Sequence, residues 1–69
     1  MKLSARNMLS GRVRDVKKGA TTAHVKIELP GGAVITASIT NEAVDELALK
    51  VGDEAFALIK ASDVIVGKK

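Results

Sequence analysis

From Ala23 onward the chain repeats with a period of two. Val25, Ile27 and Leu29 share one side with Ala23, while Thr22, His24, Lys26 and Glu28 take the other. Successive side chains point to opposite faces only in a strand, so the pattern predicts a strand with one buried face. Pro30-Gly31-Gly32 follows at once, a fixed φ and then two residues free to adopt positive φ, which predicts a tight turn and a hairpin. Beyond it Ala33, Ile35, Ala37 and Ile39 alternate with Val34, Thr36, Ser38 and Thr40, a run rich in the β-branched residues that strands favour.

The flanking segments fit the same architecture. Residues 7–16 read as a first strand, with Leu9, Gly11 and Val13 on one side and Ser10, Arg12 and Arg14 on the other. A glycine in mid-strand signals a bulge or the close approach of another backbone. Thr40-Asn41-Glu42 reads as a helix start, Thr40 or Asn41 being the N-cap, with Glu42, Asp45 and Glu46 near the positive end of the helix dipole. Val44, Leu47 and Ala48 would form its apolar stripe, and Lys50 and Gly52 would close it before a turn at Val51-Gly52-Asp53-Glu54. Residues 55–60 are apolar on both sides, which predicts a strand covered on both faces. Val64, Ile65 and Val66 form a last short strand, of the kind that pairs outside its own domain. Three strands, a helix and two strands are the order of a mainly β, five-stranded Greek-key barrel resembling the OB-fold, with one short helix. No repeat, low-complexity stretch or linker divides the chain, so residues 1–69 form a single domain.

Composition changes this picture in one respect. A chain of 69 residues buries only about 60% of its unfolded surface and is marginal alone. With no Cys and a single His there is neither a disulfide nor a Cys/His metal site to staple it. Phe56 is the sole aromatic residue. Association between copies is the remaining common stabiliser, and a homo-oligomer with a core extended across subunits is expected. Met1-Lys2-Leu3 leads into polar residues with no apolar signal segment, and no apolar run approaches membrane-spanning length. Together with the absence of Cys, this places the chain in the cytoplasm as an expectation.

The formal net charge of +3 is unevenly spread. Arg6, Arg12, Arg14, Lys17, Lys18 and Lys26 lie in the first half, and Glu42, Asp45, Glu46, Asp53 and Glu54 in the second. Such asymmetry steers anions, nucleic acid among them. Small barrels that hold single strands stack bases on aromatic rings, however, and a lone Phe56 makes nucleic acid the runner-up. No Cys nucleophile, no Ser with a recognisable base and acid, and no carboxylate pair with divergent settings is present, so the sequence points to binding and not to an enzyme.

Two polar clusters carry the binding chemistry. Ser4-Ala5-Arg6-Asn7 and Lys60-Ala61-Ser62, each beside strand-like sequence, supply two fixed cations, two hydroxyls and a side-chain amide. A tetrahedral dianion needs opposite charge and convergent donors to replace its hydration, and charge-assisted hydrogen bonds are about twice as strong as neutral ones. Both clusters fall in irregular backbone at strand ends, where N–H groups near Ala5 and Ala61 are free to face a ligand.

The order of these segments, with Met8-Leu9-Ser10-Gly11-Arg12-Val13, Val16-Lys17-Lys18-Gly19-Ala20 and Ile59-Lys60-Ala61-Ser62-Asp63-Val64, closely resembles the molbindin, or Mop, family. These are small molybdate- and tungstate-binding proteins related to the TOBE domains of molybdate-transport ATPases and regulators. The resemblance spans Ser4 to Val66, and its end motifs are specific as a pair. It implies a Mop/TOBE-like oxyanion-binding domain with molybdate or tungstate as ligand and no cofactor. It also implies a hexamer built as a trimer of dimers, with the principal site between subunits at Ser4, Ala5, Arg6, Asn7, Lys60, Ala61 and Ser62. A second class of site on a three-fold axis would fall at Lys18, Gly19, Ala20, Thr21 and Thr22, where Gly19 would open a nest of backbone N–H groups. The implied function is storage or buffering of molybdate for molybdenum-cofactor synthesis. The alternatives are a nucleic-acid-binding barrel using Arg12, Arg14, Lys17 and Lys18, and a detached module that senses the same anion through a partner. His24 reads as a surface or interface side chain, Met8 as packing, and Glu42, Asp45 and Glu46 as a solvated helix face.

Overall fold

The alternation read from Ala23 onward becomes the centre of the molecule. In the computed structural model, which describes residues 3–69, strand β2 (Thr22–Glu28) buries Ala23, Val25 and Ile27 and exposes the four residues between and beside them. It is flanked by β1 (Asn7–Lys18) on one side and β3 (Val34–Thr40) on the other, and β4 (Glu54–Ile59) pairs with the far edge of β1, giving an antiparallel sheet in the order β3-β2-β1-β4. Val13, Ala23, Val25, Ile27 and Ala57 form the core with Val44 of the short helix α1 (Asn41–Glu46), and Val16, Leu29, Ile35, Ile39, Leu49 and Ala55 pack around it.

The β2–β3 connection is a type II arrangement. Gly32 N–H donates to Leu29 O over 3.0 Å, and Pro30 is followed by Gly31 at φ 94°, the position of that turn reserved for a residue without Cβ. In β1 the two explanations offered for Gly11 separate. The close approach is real: a Cβ on Gly11 would lie 2.4 Å from Glu28 O and 2.8 Å from Ile27 Cγ2. The bulge lies further on, where Val13 pairs with Ile27 and Asp15 with Lys26, leaving Arg14 as the extra residue. That insertion lets Val13 and Val16 both face the core and carries β1 on to Lys18. The turn before β4 docks on the bulge, with Val13 N–H donating to Asp53 O and Gly52 N–H to Val13 O, each over 2.8 Å.

Three expectations are corrected. The helix stops at Glu46, short of Lys50. Thr40 caps it as expected, its Oγ1 accepting from Ala43 N–H over 3.0 Å. It closes through bonds from Ala48 N–H to Asp45 O and from Leu49 N–H to Val44 O, with Ala48 at φ 50°. This is a Schellman closure with alanine where glycine is usual. It turns Leu47 outward, 65% exposed, and brings Leu49 against Val44 in its place. Second, β4 is covered on one face only: Ala57 is buried, whereas Phe56 and Leu58 are 49% and 44% exposed. Third, the sheet has four strands and not five. Ala61–Asp63 form a single 3-10 turn, and Val64, Ile65 and Val66 follow without pairing to any described strand, Ile65 being 94% exposed. Among the described residues neither sheet edge, β3 or β4, has a further partner strand.

Two substitutions test this packing by denaturant unfolding at fixed protein concentration. Gly11→Ala forces β1 and β2 apart and should lose about 1–3 kcal/mol, the usual range for overpacking. Ala48→Gly removes a left-handed alanine and should gain about 1 kcal/mol.

Candidate functional site

Register decides where the two polar clusters go. β1 and β4 are antiparallel, and their ladder begins with Asn7 opposite Ile59 and Met8 opposite Leu58. The segment before β1 and the segment after β4 therefore leave the same end of the sheet side by side, carrying Ser4, Ala5 and Arg6 on one and Lys60, Ala61 and Ser62 on the other. Asn7 locks the junction, its Nδ2 donating to Ile59 O over 3.1 Å. The Asn7 amide thus serves first as a strand clamp.

The groups brought there are uncommitted. Ser4, Arg6, Lys60, Ala61 and Ser62 are exposed, with Ala5 and Asn7 half-buried. Among the described residues no carboxylate lies within 4 Å of the Arg6 guanidinium or the Lys60 ammonium; the ion pairs join Arg14 to Glu28, Lys18 to Asp45 and Lys50 to Asp53. Asp63, two residues from Ala61, pairs with neither cation. Lys60 is extended and Ala61 opens the 3-10 turn, whose closing bonds run from Asp63 N–H to Lys60 O and from Val64 N–H to Ala61 O. The first N–H groups of such a turn, those of Ala61 and Ser62, have no acceptor inside it. Two cations with no carboxylate within 4 Å among the described residues, two hydroxyls and backbone donors without an acceptor in the turn, all at one end of the sheet, suit an oxyanion.

The turn from Lys18 to Thr22 lies at the opposite end of β1. It does not form the expected nest at Gly19, whose N–H already donates to Thr22 O over 2.7 Å and whose φ is not in the left-handed region. Lys18 is held by Asp45 of α1. What remains is an open depression of about 320 Å³ lined by Lys17, Lys18, Gly19, Thr22 and His24. Asn41, which the sequence offers only as a cap, reaches back to this turn: its Nδ2 donates to Gly19 O over 3.0 Å and its backbone N–H to Thr21 O over 2.9 Å.

A larger groove, of about 570 Å³, runs past Arg12, Arg14, Glu28 and Glu54. Arg12 stands between Glu28 and Glu54 in the two registers and donates to Gly52 O over 3.2 Å, and Arg14 lies 3.9 Å from Glu28. Of the basic set offered for nucleic acid, Arg14 and Lys18 are paired with carboxylates and Arg12 bonds a backbone carbonyl, whereas Lys17 has no ion pair among the described residues. No helix among the described residues is long and apolar enough to cross a membrane.

If the Asn7 clamp sets the site, Asn7→Ala should lose about 1 kcal/mol of stability, the usual worth of one such bond. The amides of Asp63 and Val64, which donate to Lys60 O and Ala61 O, should then exchange with deuterium faster than in the parent protein, as native-state hydrogen exchange would read.

Known proteins are similar to this chain in sequence and fold. A probable molybdenum-pterin-binding protein of Haemophilus influenzae is 48% identical over 67 residues, covering 97% of both chains. The solved structure of a molybdate-binding protein from Sporomusa ovata superposes with a TM-score of 0.93 at 37% identity, covering 99% of this chain and all of that one. ModG, described as a cytoplasmic molybdate-binding protein and solved with molybdate bound, gives a TM-score of 0.91 at 52% identity over 94% of this chain and 46% of its own. These relatives are described by what they bind, a binding and not a catalytic function. The sequence profile of the TOBE domain matches residues 3–66, and the chain belongs to the TOBE domain family, within its molbindin branch.

Proposed function

We propose that this protein binds molybdate, and tungstate by the same chemistry, between copies of itself in the cytoplasm, holding the anion in store for molybdenum-cofactor synthesis. The principal site comprises Ser4, Ala5, Arg6, Asn7, Lys60, Ala61 and Ser62. The observation that carries this reading is the pairing of Asn7 with Ile59, which delivers two unpaired cations and their neighbouring donors to one end of the sheet. Relatives along nearly the whole chain are described as molybdate- or molybdenum-pterin-binding. A second site at Lys18, Gly19, Ala20, Thr21 and Thr22 would draw on Lys17 and on the exposed side of that turn.

Assembly follows from what one chain leaves uncovered. Met8 and Leu58 face each other across the β1–β4 ladder one step from the Asn7–Ile59 pair, and they are 57% and 44% exposed. With Phe56 and the unpaired Val64, Ile65 and Val66, they form apolar surface that a second copy would bury. The hexamer, as a trimer of dimers, is the assembly the family resemblance supports. An anion that ties two copies together stabilises the assembled state, by about 2.7 kcal/mol per site at 100 times its dissociation constant.

Titration calorimetry with molybdate against sulfate and phosphate tests the ligand. Saturable molybdate heat that the other two anions do not abolish supports the reading, whereas no molybdate heat together with salt-sensitive RNA or DNA binding reverses it. Arg6→Ala and Lys60→Ala each remove a charge-assisted contact worth about 1.5–3 kcal/mol, so each should weaken molybdate binding about ten- to a hundredfold. Size-exclusion with light scattering checks assembly: the parent protein should elute as an oligomer, and Phe56→Asp combined with Leu58→Asp as a smaller species.

A further inference from the structure

We infer that Asn41 is the residue that presents the β1–β2 turn to an oxyanion, a positioning role that rests on the reading of this turn as a second anion site. The argument begins with where the turn's backbone groups go. Asn41 takes up two carbonyls of the turn, Gly19 O through its side-chain amide at 3.0 Å and Thr21 O through its backbone N–H at 2.9 Å. All peptide bonds described are trans, and in a trans peptide the carbonyl of one residue and the N–H of the next point in opposite directions. Holding Gly19 O and Thr21 O towards Asn41 therefore turns the N–H groups of Ala20 and Thr22 away from Asn41, the Thr22 N–H to the β1 side, where Thr22 O accepts from Gly19 N–H.

Side chains able to meet an anion stand beside this turn. Lys17 and His24 are cross-strand neighbours and exposed, each alternating with residues that face the core where α1 packs. They stand on the outer face of the sheet, and with Gly19 and Thr22 they line the open depression at this end. The Ala20 N–H donates to no protein group among the described residues, and Ala20 is exposed. With Gly19 O, Thr21 O and Thr22 O each accepting a hydrogen bond from the protein, fewer bare carbonyl oxygens of the turn are left to repel an anion. Lys18, held to Asp45, pins the other flank of the turn to the same helix.

Asn41 suits this task and not general packing. Thr40 already provides the helix cap, so the Asn41 side chain is free to bond elsewhere. Its Oδ1 is buried without a partner, a penalty that an alanine or leucine would avoid. The Nδ2–Gly19 bond is what the residue gains in return. Rotating the amide would set Oδ1 against Gly19 O, acceptor to acceptor, so the assignment of the two atoms is fixed by that contact.

The test is Asn41→Ala, read by sodium molybdate titration of the intact oligomer together with the backbone amide NMR signals of Ala20 and Thr22. In the parent protein both amides should shift on adding molybdate, as a weaker class of site fills. In Asn41→Ala, which keeps the backbone N–H bond to Thr21 O and loses only the side-chain bond to Gly19 O, that class should weaken tenfold or more and the Ala20 shift should vanish, while binding governed by Arg6 and Lys60 stays unchanged and shows that the fold is intact. Equal amide responses in parent and variant would overturn the role of Asn41. Amides that never respond in the parent would overturn the turn as a site, whereas the principal site is judged separately by Arg6→Ala. Loss of both classes alike would mean that Asn41 supports the fold and not the turn.

Discussion

The antiparallel register of β1 on β4 is the constraint on which the proposed function depends. Arg6 and Lys60 are separated by nearly the whole chain, and only the pairing of Asn7 with Ile59 makes them neighbours. A strand has a period of two, so a slip of one residue would reverse the faces of β4, turning Phe56 and Leu58 inward and Ala57 outward. The register is held from several directions. Ala57 fits the core where a larger residue would collide, Asn7 clamps Ile59 O, and the docking of the 50–53 turn on Val13 fixes where β4 begins. Binding chemistry at one end of the sheet is thus controlled by packing along its length.

That same sheet is incomplete as a solitary object. Its core of small and β-branched residues includes no aromatic ring, and Phe56 stands half exposed. Two open edges and an apolar stripe on β1 and β4 would be an aggregation hazard in a monomer. Evolution usually blunts such edges with charge or proline, yet Met8, Phe56 and Leu58 do the reverse. The exposed apolar stripe and the uncommitted cations lie at the same end of the ladder, so burying the one brings the other into a subunit boundary. On the proposed reading stability and ligand capture are one event, and a dianion there would relieve the repulsion that gathering arginines and lysines from several copies would create.

What could be read in the letters divides along physical lines. The β2–β3 hairpin was legible because two local signals agreed, the alternation on both sides of Pro30-Gly31-Gly32 and the positive φ that only its glycines adopt freely. The Thr40 cap was legible for the same reason, its oxygen bonding three residues away. The helix end was not, because Ala48 carries none of the signal that glycine would. Nor was the bulge at Arg14, an irregularity fixed by the partner strand and the 50–53 turn. Residues 55–60 and 64–66 looked alike as apolar runs; which of them finds a partner within the chain depends on edges that sequence does not display. At the site, the residue types of both clusters disclosed their chemistry, and the family resemblance joined them, but the commitments of Lys18 to Asp45 and of Gly19 to Thr22 are products of the fold.

The contrast between the two ends of β1 bears on which of the two proposed sites would be the stronger. At the Asn7 end the cations have no carboxylate neighbour, so an arriving dianion displaces only water. At the Lys18 end one lysine is already engaged by Asp45 with both partners partly exposed, an interaction worth at most about 1 kcal/mol, and the Gly19 N–H is spent on its own hairpin. An anion there must rely on Lys17, the hydroxyls of Thr21 and Thr22, and the backbone edge that Asn41 exposes. Weaker charge and fewer donors give lower affinity, so the turn would fill only after the principal sites are occupied. A protein with both proposed sites would release its last anions reluctantly and its first ones readily, as a buffer does.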